Sequence, residues 1–194
     1  RTRAGHPDST APTARYAPTP ATVVNTGETV RVDVGAGDTL VVDGVPYALL
    51  QFHFHHPSEH TLDGKRYPLE LHFVHRAADG RLAVLGTFAD TGATNAAYQE
   101  MLDAMPPAAG EVRTTAQPIA PSTLLGLTDL SRERLFRYQG SLTTPPCSEI
   151  VTWLVRAQVL RLSPAQVRRL EAALGFDARP LQRAWGREIR VHEP

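Results

Sequence analysis

The chain has 194 residues, 42% of them hydrophobic and 21% charged, and its acidic and basic residues balance to a formal net charge of zero. This length suits one domain with its own hydrophobic core. The balanced charge argues against a nucleic-acid-binding surface, and no apolar run approaches the roughly 20 residues of a membrane-spanning helix.

The chain begins with a proline-rich segment and then changes to strand-forming sequence. Residues 1–20 contain four prolines and few apolar residues, so we expect an irregular N-terminal arm, followed by a single domain over residues 21–194. Alternating or continuous apolar residues, separated by Asp–Gly turn signals at 43–44, 63–64 and 79–80, then predict a series of strands. These strands cover residues 29–34, 40–42, 45–54, 69–74, 82–88 and 150–162.

Two segments are typical of helices. Residues 95–105 form the first, which ends at Pro106. The second is predicted over residues 164–174, where Ser163 and Gln166 form a capping box and Gly175 ends the helix. We therefore predict a mostly β protein of the α+β class with a few short surface helices.

Histidines concentrate in two of the predicted strands. Residues two apart in a strand point to the same face, so Gln51, His53 and His55 share one face of the first strand. Glu70 and His72 likewise share a face of the second strand. Three neutral imidazoles aimed at one point, with a fourth position left to water, form an open zinc site. An isolated histidine would more often be structural, but this pattern favours a metal site with His53, His55 and His72 as ligands.

The other histidines are weaker ligand candidates, and one competing pattern exists. His56, His60 and His75 have the wrong strand parity or lie in a loop. The spacing from His53 and His55 to Glu59 is typical of the first metal-binding motif of cupins, in which Glu59 would be a ligand. The second cupin motif, with Pro-x-Gly before its histidine, has no match around His72.

Several motifs, in order, resemble those of alpha-class carbonic anhydrases. They are Gln-Phe-His-Phe-His at 51–55, Ser-Glu-His-Thr at 58–61, Glu-Leu-His-Phe-Val-His at 70–75, Ala-Val-Leu-Gly at 83–86, Gly-Ser-Leu-Thr-Thr-Pro-Pro-Cys at 140–147, Val-Thr-Trp at 151–153 and Arg-Pro-Leu-Gln at 179–182. The likeness runs from about Val23 to the C-terminus, and the Pro-Ser-Glu-His after His56 resembles the bacterial branch.

The resemblance implies a fold and an activity. The fold would be a large, central, mainly antiparallel and twisted sheet of about ten strands with short surface helices, with zinc at the bottom of a cone-shaped cavity. The activity would be hydration of carbon dioxide to bicarbonate and a proton by a zinc-bound hydroxide, with side activity on activated esters and inhibition by sulfonamides. Zn²⁺ would be the cofactor and carbon dioxide or bicarbonate the small-molecule partner.

The resemblance also implies roles for single residues. Thr143 would accept a hydrogen bond from the zinc-bound hydroxide and donate one to Glu59, and Gln51 and Glu70 would orient His53 and His72. The substrate pocket would consist of Val74, Val84, Leu142, Thr144, Val151 and Trp153. A non-catalytic binding protein with the same fold is the second hypothesis, but such proteins lose zinc histidines, and this chain keeps all three.

Two features depart from the family pattern. Glu28 occupies the position of the family's histidine proton shuttle, and a glutamate ordinarily titrates near 4.3, against about 6.5 for histidine. We therefore expect slow proton release and a strong dependence on external buffer. The family's N-terminal segment has no match in residues 1–20, so Cys147, the single cysteine, lacks the partner it has in bacterial members. We expect lower stability than in relatives with that disulfide bond, which typically contributes about 2–4 kcal/mol.

Location and assembly are expected only by resemblance. The bacterial members are exported, and the position of Cys147 suits an oxidising space, so we expect a periplasmic or extracellular protein. Bacterial members are often dimers, which makes a homodimer an expectation, although no interface pattern stands out in the sequence.

Overall fold

A computed structural model describes residues 11–184 and 186–194 and is dominated by one eleven-stranded sheet. The strands are β1 (Thr13–Arg15), β2 (Ala21–Asn25), β3 (Val30–Val34), β4 (Thr39–Val42), β5 (Val45–His55), β6 (Leu69–Ala77), β7 (Leu82–Thr91), β8 (Val112–Thr114), β9 (Leu135–Gly140), β10 (Val151–Leu162) and β11 (Arg190–His192). The helices are α1 (Gln99–Ala104), α2 (Pro121–Leu125) and α3 (Pro164–Leu174). None of the helices in the described ranges is long and apolar enough to cross a membrane.

The sheet is mixed, with one parallel pair. Its main path runs β11-β9-β10-β7-β6-β5-β3-β2-β8, and β1 and β4 extend it beside the first half of β5. Strands β7 and β10 are parallel, and the other described pairs are antiparallel. The predicted fold, a large twisted sheet with short helices, is confirmed.

The two faces of the sheet carry different residues, because side chains alternate along each strand. Phe52, Phe54 and Phe73 belong to the main hydrophobic core, where the rings of Phe52 and Phe73 stack with centroids 4.8 Å apart. Helix α3 packs Val167 and Leu170 into the same core. The opposite face of β5 and β6 is thereby left for polar side chains.

The predicted turn and capping signals agree with the structure. Asp43 and Gly44 both have positive φ, 51° and 75°, as a two-residue hairpin turn between β4 and β5 requires. Ser163 and Gln166 form the expected capping box of α3, and Gly175 ends the helix with a φ of 64°.

Three parts of the sequence-based description need correction. Within residues 1–20, expected to be irregular, Thr13–Arg15 form β1 and pair with β4. This strand was missed because it is three residues long and lies among prolines; residues 1–10 are outside the described ranges. The turn at Asp63 and Gly64 closes only an isolated bridge between Leu62 and Lys65, not a pair of strands. Strands β2, β8, β9 and β11 and helix α2 were not predicted.

Candidate metal centre

The three candidate ligands lie on neighbouring central strands. His53 on β5 is directly opposite His72 on β6, and His55 is opposite Glu70. The β5–β6 register shifts between Leu49 and Gln51, a β-bulge that resets which face the following residues occupy. From the bulge onward, the histidines point away from the phenylalanine core.

The three imidazoles converge. One ring nitrogen from each of His53, His55 and His72 lies within 4.8 Å of the others. His55 and His72 are buried and His53 is half-buried. The ring centroids of His55 and His72 are 4.7 Å apart, and those of His53 and His72 are 5.3 Å apart. The structure therefore brings the three predicted residues together.

Each imidazole is held through its other nitrogen. Nδ1 of His53 lies 2.9 Å from Oε1 of Gln51, and Nε2 of His72 lies 2.9 Å from Oε1 of Glu70. Nδ1 of His55 lies 3.1 Å from Oδ2 of Asp177. A carboxylate oxygen and an amide carbonyl oxygen can only accept a hydrogen bond, so the ring nitrogen that faces each of them carries the proton. The lone pairs of Nε2 in His53, Nε2 in His55 and Nδ1 in His72 are thereby directed to one point.

Burial and neighbouring charges set different pKa values in this cluster. Burial, with repulsion from the neighbouring histidines, holds the pKa of His53 well below its usual value. Burial also lowers the pKa of His72, although Glu70 opposes it. Burial would lower the pKa of His55 too, but the carboxylates of Asp177 and Glu59 outweigh it and raise that pKa. Two of the three imidazoles are thus kept neutral, the form that binds a metal.

Among the described residues beside the three imidazoles, two buried side-chain atoms have no hydrogen-bond partner, and they support a fit to zinc. Nε2 of His55 and Oε2 of Glu59 are both buried and unpaired, although they lie only 3.5 Å apart. A buried imidazole nitrogen that has no hydrogen-bond partner and lies beside two other imidazole nitrogens is what a metal ligand would show. Three imidazoles and an open fourth position suit Zn²⁺.

A second group of possible ligand atoms is better explained by hydrogen bonds. His60, Glu70 and His72 also come together, but Oε1 of Glu70 is 2.6 Å from Nδ1 of His60 and 2.9 Å from Nε2 of His72. These distances are those of two N–H groups donating to one carboxylate oxygen. The two histidines outweigh burial and hold the pKa of Glu70 well below its usual range. The group thus fixes His72 rather than binding a second ion.

The Glu70 network continues to Tyr138, whose hydroxyl is 2.6 Å from Nε2 of His60. Because Nδ1 of His60 carries the proton toward Glu70, Nε2 accepts from the tyrosine hydroxyl. Gly86, which pairs with His72, leaves the room this network needs: a Cβ there would lie 3.2 Å from Oε1 of Glu70.

Glu59 and Thr143 line one cavity, together with Arg179. The backbone N–H of Arg179 donates to Oε1 of Glu59 at 2.7 Å, and Oε2 of Glu59 lies 3.9 Å from Nδ1 of His72. Within residues 11–184 and 186–194, Thr143 makes no hydrogen bond to Glu59. The glutamate is held in place, and its second oxygen remains available as an acceptor.

The predicted apolar pocket residues pack together beside the histidines. Val84, Val151 and Trp153 belong to a second hydrophobic cluster, against which Val74 and Leu142 pack. The ring centroid of Trp153 is 4.7 Å from that of His72. Gly140 is required here, because a Cβ would come within 2.9 Å of the Trp153 ring. An apolar wall therefore adjoins the third candidate ligand.

A cavity of about 920 Å³ leads from solvent to His53 and His55. Thr143, Thr144, Glu28 and Arg31 are among the residues that line it. Glu28 is exposed on the turn between β2 and β3. The structure thus places the residue at the predicted shuttle position on the wall of this cavity.

The remaining predicted residues lie away from the ligand point. Nδ1 of His56 is 2.8 Å from the carbonyl oxygen of Pro68, and Nε2 of His75 is 2.8 Å from the hydroxyl of Tyr16. Cys147 is a free, half-buried thiol. The sequence analysis missed Asp177 and Tyr138. Both are hydrogen-bond partners of histidines that lie far from them in the sequence, and no periodic pattern marks them.

Comparison with known proteins decides the family. The family model described as eukaryotic-type carbonic anhydrase matches residues 7–193. The chain belongs to this family. The matched region begins at residue 7, whereas the sequence motifs indicated a likeness only from about Val23 onward.

Similar proteins come from several bacteria. A carbonic anhydrase of Nostoc sp. is 42% identical over 173 residues, which cover 86% of this chain and 62% of that protein. The carbonic anhydrase of Pectobacterium atrosepticum is 40% identical, and the match covers 86% of this chain and 67% of its length. The chain thus spans about two thirds of these relatives.

Solved structures agree with the fold. The alpha-carbonic anhydrase of Photobacterium profundum superimposes with a TM-score of 0.89 at 38% identity, covering 97% of this chain and 85% of its own. That of Thermovibrio ammonificans, solved with the inhibitor sulfanilamide, gives the same TM-score and identity over 96% of this chain and 81% of its own.

Proposed function

We propose that this protein is a zinc-dependent carbonic anhydrase that hydrates carbon dioxide to bicarbonate and a proton. The observation that carries the proposal is the convergence of three imidazole nitrogens whose opposite nitrogens are held by Gln51, Glu70 and Asp177. Family membership and the relatives named as carbonic anhydrases support it.

His53, His55 and His72 would hold the metal. Zinc in such a site lowers the pKa of a bound water to about 7, the value known for carbonic anhydrases themselves. The protein supplies the geometry: the three imidazoles sit on paired central strands, and the carboxylates and the amide behind them prevent the rings from turning. The ligand point is therefore organised by the sheet rather than by loops.

Glu59 and Thr143 are proposed to orient the attacking oxygen. The N–H of Arg179 holds Oε1 of Glu59, and Oε2 lies beside His55 and His72 without a partner. A hydroxyl that donates to this acceptor must itself accept from the next group, because it has one proton. Thr143 is one of the hydroxyl residues that line the same cavity, and the family resemblance favours it as the residue that would donate to Glu59 and accept from the nucleophile.

The apolar wall is proposed to receive carbon dioxide. Val84, Val151 and Trp153 are almost fully buried, and Val74, Leu142 and Thr144 complete the predicted pocket. Carbon dioxide carries no charge and has no hydrogen-bond donor, so an apolar surface next to the metal can hold it without competing for the metal position. Bicarbonate, which is charged, leaves such a surface for water.

Proton release is proposed to depend on buffer, because Glu28 lines the cavity at the position where the family has its histidine proton shuttle. Replacing Glu28 with His should raise the maximal hydration rate at low buffer concentration and have little effect at high buffer concentration. Glu28→Gln is the matched control and should give no rise. Equal rates for Glu28→His and wild type at low buffer would show that this position does not limit proton release.

The proposed activity is tested by stopped-flow hydration of carbon dioxide with protein of measured zinc content. We expect hydration that tracks zinc content, stops with a sulfonamide, and is lost in Thr143→Ala by at least tenfold. Hydrolysis of 4-nitrophenyl acetate, blocked by the same sulfonamide, would extend the proposal to esters. Zinc-loaded wild-type protein without hydration activity would contradict the function.

Location and assembly are separate parts of the proposal. An exported protein, periplasmic or extracellular, is supported by the bacterial relatives and by the position of Cys147, and cell fractionation would test it. A homodimer is supported only by resemblance to bacterial members. Sedimentation equilibrium that returns a mass near the chain's 21.2 kDa at all concentrations would exclude it.

A further inference from the structure

A second cavity, of about 270 Å³, has a wall on which positive charge predominates. Arg179, Arg183 and Arg187 line it, and Glu59 is the one acidic side chain among the described residues of its lining. Thr143 and Arg179 line both this cavity and the larger one of about 920 Å³ that leads to the candidate metal centre. We call the smaller space the arginine cavity; it adjoins the metal centre without containing its ligands.

The guanidinium of Arg179 has donors that the protein does not use. The residue is half-buried, and its Nη1 donates to the hydroxyl of Ser141 at 3.2 Å and to the carbonyl oxygen of Leu142 at 3.5 Å. Both acceptors are neutral. Within residues 11–184 and 186–194, no carboxylate forms an ion pair with Arg179, and its Nε and Nη2 have no hydrogen-bond partner. Two parallel N–H groups on one edge of a guanidinium match two oxygens of a carboxylate or phosphate group.

The other charges on the wall favour an anion or oppose it only weakly. Arg187 pairs with Glu149, but the Glu149 side chain is 70% exposed, so solvent screens that ion pair. The carboxylate of Glu59 would repel an anion. Its side chain is 4% exposed, however, and its Oε1 accepts the backbone N–H of Arg179, so little of its charge is presented to the cavity.

We propose that the arginine cavity binds a small oxyanion, with Nε and Nη2 of Arg179 donating to two of its oxygens. This inference goes beyond the proposed hydration of carbon dioxide and does not depend on it. Bicarbonate, the product expected at the neighbouring metal centre, and phosphate, from the surrounding solution, share the required chemistry. The volume of the cavity suffices for either ion.

A purely structural role for Arg179 is the alternative. Its bonds to Ser141 and Leu142 would then hold the loop after β9, and the cavity would contain water alone. Such a role would lower the free energy of unfolding when the side chain is replaced. It would give no saturable binding of anions to the folded protein.

The test is calorimetric titration with phosphate and, separately, with bicarbonate in chloride-free buffer of low ionic strength. Zinc-loaded protein saturated with a sulfonamide and zinc-free protein are both titrated, so that anions bound to the metal are not counted. We expect saturable binding of a single ion per chain in both preparations. Arg179→Gln should weaken it by about 10- to 100-fold, the loss expected for a charged hydrogen-bond donor.

Arg132→Gln is the matched control, because it removes the same charge from an 84% exposed side chain outside the cavity. It should keep the anion affinity within about twofold of wild type. Arg187→Gln is the second variant if Arg179→Gln does not fold, and it should weaken binding by at least about threefold through the loss of a nearby charge.

The outcomes separate this inference from the proposed function. No saturable binding at millimolar anion, or equal losses in Arg132→Gln and the cavity variants, would overturn the inference. Weaker binding confined to the cavity variants would support it, and the anion bound more tightly by wild type would identify the source as reaction product or solution phosphate. Anion binding by a zinc-loaded wild type that does not hydrate carbon dioxide would contradict only the activity.

Discussion

Arg156 offers a sharp test of how the sheet behind the centre is stabilised, because it is a fully buried cation. Its Nε and Nη2 donate to the two carboxylate oxygens of Glu133 at 2.5 and 2.6 Å, and Nη1 donates to the carbonyl oxygen of Leu125 at 2.8 Å. The side chain is 0% exposed and that of Glu133 is 13% exposed. The arginine thereby joins β10 to the end of α2 and to the residues before β9.

Replacing Arg156 with Met retains the apolar stem and removes the charge. Glu133 is then left as a mostly buried carboxylate without its counter-charge, and the Leu125 carbonyl loses its donor. Removing one partner of a buried pair typically costs about 3–5 kcal/mol. For a chain of this size, a loss of that magnitude lowers the melting temperature by about 6–20 °C.

Urea unfolding of zinc-free protein measures this loss without a contribution from metal binding. The double variant Arg156→Met, Glu133→Gln should recover part of the free energy, because the uncompensated charge is gone. Arg132→Met, which removes an 84% exposed side chain 3.8 Å from Asp129, is the control and should change stability little. A loss below about 1 kcal/mol for Arg156→Met, or no recovery in the double variant, would refute the reasoning.

Two further predictions concern pH and metal. Burial lowers the pKa of His75 to about 4, against about 6.5 unfolded, so the unfolded chain binds more protons between these values and stability should fall as pH drops from about 6.5 to about 4. Between pH 6.5 and pH 4 this histidine should account for a loss of up to about 3 kcal/mol in the free energy of unfolding, and His75→Gln should abolish that loss in urea titrations of zinc-free protein. Parallel pH profiles for the two proteins would contradict the argument. Zinc at a thousandfold above its Kd should stabilise the folded protein by about 4 kcal/mol, so removing it should lower the melting temperature. Added zinc should restore the melting temperature of the wild type but not that of His55→Ala. An unchanged melting temperature after chelation would mean that these histidines do not hold a metal.

Much of the centre was predictable because it depends on strand parity. The alternation of histidine and phenylalanine in β5 placed His53 and His55 on one face, and the same argument placed Glu70 with His72. Long apolar strands and the capping box of α3 were equally plain, because each signal lies within a few consecutive residues. Their observed bounds differ from prediction by a few residues at the ends.

The missed features depend on contacts between distant segments. Asp177 meets His55 only after the chain has passed through β10 and α3, and nothing in the local sequence distinguishes it from an ordinary loop aspartate. The three-residue strands β1, β8 and β11 are too short for periodicity, and they exist because an edge of the sheet is available for pairing. The bonds between Glu70 and His60 also required the folded loop after β5.

The order of the strands along the chain has a consequence for how activity is acquired during folding. Strands β5, β6 and β7 are consecutive antiparallel neighbours, so the three histidines can meet through short-range pairing, which forms quickly. Thr143 and Asp177 arrive later, because β10 joins β7 in parallel only after the long crossover between them has been placed. In refolding experiments with zinc present, metal uptake should therefore precede the recovery of carbon dioxide hydration, and the interval between them would measure the time taken to close the far side of the active site.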